Sequence, residues 1–171
     1  KKVKDQFGVV TPENAMKWSE IDSKGFAPGD KIVDWAQAND IKVRGHTLVW
    51  HNQAPDRLDK MSPEQVKNEM KNHITNTVMH FGDKVPTWDV VNEAIQDGGG
   101  GFRDSVFSRA MGGQGFIDEA FKTANKANPN AELALNDYSV ETKNAKSDKL
   151  YDTVKSMKER GVPIDVVGMR K

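Results

Sequence analysis

Apolar and polar positions along the chain fall into two alternating kinds of segment. Short runs rich in β-branched and aromatic residues occur at Phe7–Val10, Ile41–Trp50, Val85–Asn92, Ala131–Asn136 and Ile164–Gly168. They begin roughly 30 to 45 residues apart, a spacing that suits strand-plus-helix units. Between them the apolar residues recur at helical intervals. Ser62-Pro63-Glu64-Gln65 carries an N-cap, a first-turn proline and a capping-box glutamine. Val66, Met70, Ile74, Thr77, Val78 and Phe81 continue one face, and Gly82 can end the helix. Ile117, Ala120, Phe121 and Ala124 form a second stripe, stopped before Pro129. A third helix is expected from about Lys143 to Arg160, with Leu150, Val154 and Met157 inward and Gly161 and Pro163 closing it. A shorter fourth is expected over Asp30 to Asn39. The sequence shows no repeat, low-complexity segment or linker.

Strands alternating with helices predict a parallel sheet with helices outside it. Two architectures fit: an open doubly wound sheet and part of a (β/α)8 barrel. No G-x-G-x-x-G follows the early strands, so the dinucleotide-binding sheet lacks its signature. Polar residues cluster instead at the far ends of the strands. Thr11-Pro12-Glu13-Asn14 follows the first, His46 to Gln53 lies at the second, Asn92-Glu93 at the third and Asn136-Asp137-Tyr138 at the fourth. Barrel enzymes build their sites from C-terminal strand ends in this way. A full barrel needs eight strands and typically about 250 residues. The 171 residues supply about five strands, so the expectation is part of a larger barrel, with two open edges.

Composition narrows the function. The 25 basic and 25 acidic residues cancel, which argues against a nucleic-acid partner. No apolar run reaches about 18 residues, so no membrane span is expected. Cysteine is absent, which excludes disulfides, thiolate metal sites and a cysteine nucleophile.

The strand ends carry the chemistry. A lone glutamate after a strand is commonly a helix-start residue or a solvated charge. Glu93, however, follows the apolar run of WDVVNEA. Partial burial favours a protonated carboxyl, and Asn92 beside it can donate to a ligand hydroxyl; together they offer what a general acid needs. In RGHTLVWHNQ, His46 and Trp50 share strand parity and His51 has the other, which weakens a two-histidine metal site. Trp50 with flanking His and Gln suits a sugar ring, although the indole alone would read as core packing. Glu13 and Lys17 in TPENAMKW form either an i, i+4 surface ion pair or, with Asn14, a cluster of hydroxyl ligands. NDY alone reads as a turn. The run Gly98–Gly101 lacks the Lys-Ser/Thr of a phosphate loop and reads as a mobile loop. The lysines from Lys143 to Lys158 read as a solvated helix face.

TPENAMKW, RGHTLVWHNQ, WDVVNEA, the RDS of Arg103 to Ser105, NDY and GVPIDVVG occur in one order across essentially the entire chain. Together they resemble glycoside hydrolase family 10, the endo-β-1,4-xylanases. The resemblance implies a (β/α)8 barrel of which residues 1–171 are a single partial catalytic domain, about strands two to six. It implies hydrolysis of xylan with retention, without metal or cofactor, by an enzyme acting outside the cell. It assigns Glu93 as general acid/base and Asn92 as ligand of the 2-hydroxyl at the cleavage point. Lys17, His46 and Trp50 would line that subsite, Glu13, Asn14 and Gln53 the neighbouring one on the non-reducing side, and Tyr138 the leaving-group side. The family's nucleophile is a glutamate at the end of strand seven, and no residue here matches it. Met169 fits the pattern after Gly168, whereas Arg170 and Lys171 depart from the usual Gln-Ser-His, and Ser139 stands where Asn is common. Xylan or a xylo-oligosaccharide is the expected partner, with a complementing fragment or self-association through the open edges besides. The alternatives are a non-catalytic xylo-oligosaccharide-binding fragment and a related cellulase or mannanase.

Overall fold

A computed structural model describes residues 2–170 of the chain; Lys1 and Lys171, the latter one of the departures noted above, lie outside them. Seven α-helices and five strands are described: α1 (Lys2–Gln6), β1 (Val9–Val10), α2 (Trp18–Lys24), α3 (Ala27–Ala38), β2 (Lys42–Trp50), α4 (Pro63–Phe81), β3 (Thr87–Asn92), α5 (Val106–Met111), α6 (Gly113–Ala127), β4 (Glu132–Tyr138), α7 (Ala145–Glu159) and β5 (Val166–Arg170). All neighbouring strands pair parallel, in the order β1-β2-β3-β4-β5. A doubly wound sheet reverses its strand order at a switch point. This one never reverses, so it is a curled half-barrel, part of the (β/α)8 architecture.

Local chemistry sets the elements. Ser62 Oγ accepts from the Gln65 N–H and the Gln65 side chain accepts from the Ser62 N–H, starting α4 as expected. Met70, Ile74 and Val78 of that helix and Ile117, Ala120 and Phe121 of α6 are fully buried against the strands. The strands are shorter than expected at their starts. Phe7 is exposed and precedes β1. Before β5, the Asp165 backbone N–H donates to Leu133 and its carboxylate accepts from the Leu133 N–H, so its side chain takes the place of a ladder carbonyl. Two short helices, α2 and α5, span too few residues to show a period; α5 is nonetheless capped by reciprocal Ser105–Ser108 bonds.

Gly45 of β2 faces Trp88 of β3 in register, and a Cβ at Gly45 would overlap the indole. The close approach lets a fully buried Trp88 seal the start of the third strand. The lysine run at α7 is not wholly solvated: Lys146 is buried. Among the described residues no helix is long and apolar enough to cross a membrane.

Candidate active site

Register places the site residues in two layers. One layer pairs His46 with Asp89 and Ala134; the next pairs Trp50 with Asn92, Asn136 and Gly168. From the first layer to the second, β2 advances four residues, β3 three and β4 two. The register shifts that absorb the difference lie between His46 and Val49 and between Asp89 and Val91. Bulges of this kind re-aim side chains at barrel rims. Asp89 and Asn92, of opposite parity along β3, flank one of these shifts and lie in successive layers.

In the deeper layer Asp89 accepts from Arg44 Nη2 at 2.5 Å and from His46 Nδ1 at 2.8 Å. Burial pushes the Asp89 carboxyl up, but the bonds from His46 and Arg44 outweigh it and hold its pKa below the ordinary value. With Nδ1 turned to Asp89, the other His46 nitrogen is left for a ligand.

In the upper layer the Asn136 amide donates to Asn92 Oδ1 at 2.8 Å, both residues being buried. A Cβ on Gly168 would overlap Asn136 Oδ1, so glycine there makes room for this pair. The bond fixes which end of Asn92 is which, and leaves its Nδ2 buried without a partner. An orphaned buried donor costs about 1–3 kcal/mol, so Asn92 Nδ2 is free to donate to a ligand.

Glu93 follows β3 with φ of 58° and is 8% exposed. Its backbone is clamped on both sides: the N–H donates to Asn136 O at 2.8 Å, and its carbonyl accepts from Arg103 Nε at 2.9 Å. Trp50 Nε1 donates to Oε2 at 2.8 Å. Arg170 Nη2 stands 3.3 Å from Oε1. Lys17 lies across the Trp50 ring, its Nζ 4.8 Å from the centroid and 3.0 Å from Asn14 Oδ1. Burial lowers the Lys17 pKa; Glu13 opposes this, Arg170 adds to it and Glu93 opposes it.

The structure thus gathers Lys17, Asn14, Trp50, Asn92 and Glu93 around one point, with His46 one layer deeper. Glu13 and Gln53 are exposed at the edge, and Glu13 makes no ion pair with Lys17 within bonding distance among the described contacts. Tyr138 stands in a second group, bonded to Asp97 and Arg103. Asp89, Asn136, Arg103 and Arg170 were not picked out as site residues. Asn136 had a signal, since it precedes Asp-Tyr at a strand end; Asp89 is recognisable only through Arg44 and His46, far along the chain. His51, half-buried and edge-on to Trp50 at 5.7 Å, has its pKa lowered by burial and by Arg103. No group of three or more His, Asp and Glu converges as metal ligands among the described residues.

The model of glycosyl hydrolase family 10 matches residues 1–171. The chain is 42% identical over 173 residues to endo-1,4-beta-xylanase B of Thermotoga neapolitana, covering 98% of this chain and 49% of that protein. Its fold is similar to that of native xylanase 10B from Thermotoga maritima, with a TM-score of 0.93, 43% identity, and coverage of 97% of this chain and 52% of that one. The same holds for xylanase 10B from Thermotoga petrophila in complex with xylobiose, with a TM-score of 0.93, 42% identity, and 97% and 52% coverage. The chain therefore spans about half the length of the relatives it matches.

Proposed function

The chain belongs to glycosyl hydrolase family 10, and on that premise we propose that it forms the acid/base-bearing part of a retaining endo-1,4-β-xylanase. One observation carries the reading: a buried parallel strand delivers Asn92 and Glu93 together, with the Asn92 amide donor unpaired and the Glu93 carboxyl on the Trp50 indole. The relative solved with xylobiose supports an oligosaccharide ligand.

In the first step of a retaining hydrolysis, Glu93 gives a proton to the departing glycosidic oxygen while a second carboxylate attacks the sugar. In the second step Glu93 accepts a proton from water, which releases the bound glycosyl group. Asn92 Nδ2 donates to the 2-hydroxyl of the sugar at the cleavage point, a bond that strengthens in the transition state. Lys17, His46 and Trp50 line that subsite; Asn14, Glu13 and Gln53 hold the next sugar on the non-reducing side. The nucleophile belongs to a segment other than these 171 residues.

The test is hydrolysis of xylan by the chain alone and by the chain joined to the remaining strands of a relative. The joined barrel should turn over, and Glu93→Gln should slow it by roughly 10²–10⁴-fold. Robust turnover by the chain alone would refute the assignment of the nucleophile elsewhere. Comparing xylan with glucan and mannan separates a xylanase from a cellulase or mannanase.

A second reading, a non-catalytic xylo-oligosaccharide-binding fragment, is favoured by Arg170. With Trp50 on one carboxyl oxygen and Arg170 at the other, both oxygens of Glu93 already face donors of this chain. Tight xylotetraose binding by the chain, with no hydrolysis by the joined barrel, would select it.

A further inference from the structure

Lys146, the second residue of α7, is 4% exposed. A lysine is almost never buried unless paired, and this one has three partners. Its Nζ lies 3.0 Å from Asp137 Oδ1, 3.3 Å from Asp97 Oδ1 and 3.4 Å from the centroid of the Tyr138 ring. Asp137 is itself dry. It accepts from the Tyr138 N–H at 2.9 Å and from the Ile95 N–H at 3.2 Å, so the pair ties the exits of β3 and β4 together. The Tyr138 hydroxyl donates to Asp97 and stands 3.2 Å from Arg103.

The glycine run takes part in this. Gly99 has φ of 78°, and a Cβ there would overlap the Ala145–Lys146 backbone. Only glycine lets the 97–101 loop lie this close to the first turn of α7, which brings Asp97 over Lys146. The loop is also closed by the Ile95–Phe102 bridge. Tyr138 is consequently held at its hydroxyl by Asp97 and Arg103 and on one ring face by Lys146. It remains half-exposed beside a cavity of about 290 Å³ that Asp97, Ser139 and Asn144 also line.

We propose that Lys146 is a positioning residue for the leaving-group side of the site: through the ring and hydroxyl of Tyr138 it fixes the platform for a sugar on the reducing side of the cleavage point. It sets the affinity for that sugar and touches no reacting atom. The inference rests on the xylanase reading for which sugar lies there.

The chain contains two tyrosines, Tyr138 and Tyr151, and Tyr151 is 67% exposed, an internal control. With ring-labelled tyrosine and labelled indoles, NMR titration with xylotetraose should move the Tyr138 and Trp50 signals and leave Tyr151 still. In Lys146→Met the dissociation constant for xylotetraose read at Tyr138 should rise about tenfold, because Tyr138 loses the cation that holds its ring. The constant for xylobiose read at Trp50 should stay within about twofold. Asp97→Asn, at an exposed carboxylate, should give the same split and decides the matter if Lys146→Met does not fold. Equal losses at both probes, or none at either, overturn the proposal. Tyr138 silent while Trp50 responds overturns it but leaves the xylanase reading standing; both silent sinks the xylanase reading first.

Discussion

His73 offers a test of the packing beneath the site. It sits on α4, 8% exposed, with its ring parallel to Trp18 at 4.2 Å. Nε2 lies 3.1 Å from the Leu48 carbonyl and Nδ1 is 3.4 Å from Thr77 Oγ1. A carbonyl only accepts, so Nε2 carries the hydrogen. Burial drives the pKa from 6.5 to about 3, and the Leu48 bond opposes this only in part; Asp22 raises it slightly and Arg57 lowers it.

The sign follows from which state takes the proton. Between about pH 6.5 and 3 the unfolded chain binds a proton at this ring and the folded chain does not. The stability contribution is therefore whole above pH 6.5 and is lost progressively as pH falls towards 3. One pKa unit corresponds to about 1.36 kcal/mol. From pH 7 to 5 the loss is about 2 kcal/mol, and by pH 3 it reaches about 4 kcal/mol. Against a total stability of about 5–15 kcal/mol that is measurable. Urea unfolding at pH 7 and pH 5 would be compared with His73→Gln, which keeps a donor near Leu48 and cannot titrate. The unsubstituted chain should lose about 2 kcal/mol more than the variant over that interval. Contributions from the other histidines are present in both and cancel. Equal losses would refute the burial of a neutral His73.

Three further outcomes are expected. Asn136→Ala removes the donor to buried Asn92 Oδ1 and should cost about 1–3 kcal/mol, seen as a fall of several degrees in Tm, with weaker xylobiose binding by calorimetry. Gly45→Ala drives a methyl into the Trp88 ring and should cost about 1–3 kcal/mol in urea unfolding; an unchanged midpoint would mean that β2 and β3 separate freely. Arg170→Gln removes the guanidinium from Glu93 Oε1 and should raise the xylan turnover of the joined barrel severalfold. No gain would mean that Arg170 leaves the carboxyl once substrate enters.

What could be read from the sequence was local or periodic. The α4 boundaries follow from Ser62, Pro63 and Gln65, which act within one turn, and the apolar stripes of α4 and α6 are the faces that pack on the strands. The strands were located, with the last residues of β1, β2 and β3 as expected; β5 starts later than expected because Asp165 supplies a ladder acceptor with its side chain, which no propensity records. Strand parity is no guide along β3, because the register shifts between Asp89 and Val91 and a bulge breaks the two-residue alternation. Lys146 was hidden for another reason. In a lysine-rich helix only its partners, Asp97 and Asp137, distinguish it from its exposed neighbours, and they arrive from the ends of two other strands.

The bonds that define the site share one feature. His46 to Asp89, Trp50 to Glu93 and Asn136 to Asn92 each join residues 43 or 44 apart in sequence. That separation is one strand-helix-strand unit, so each bond exists only once two neighbouring strands have paired. All three lie between β2 and β4, the most heavily buried strands of the sheet. The orientation of Asn92, Glu93, His46 and Trp50 is therefore set by contacts internal to the described residues. A preorganised subsite loses little entropy on binding, and the chain alone should hold a xylo-oligosaccharide on the Asn92–Trp50 side even where it completes no reaction. At β5 the situation differs: its residues are half-buried or exposed, and its contact with the acid is a guanidinium at 3.3 Å. Binding and turnover should therefore separate, with binding answering to the β2–β4 layers and turnover to what meets Glu93 from the β5 side.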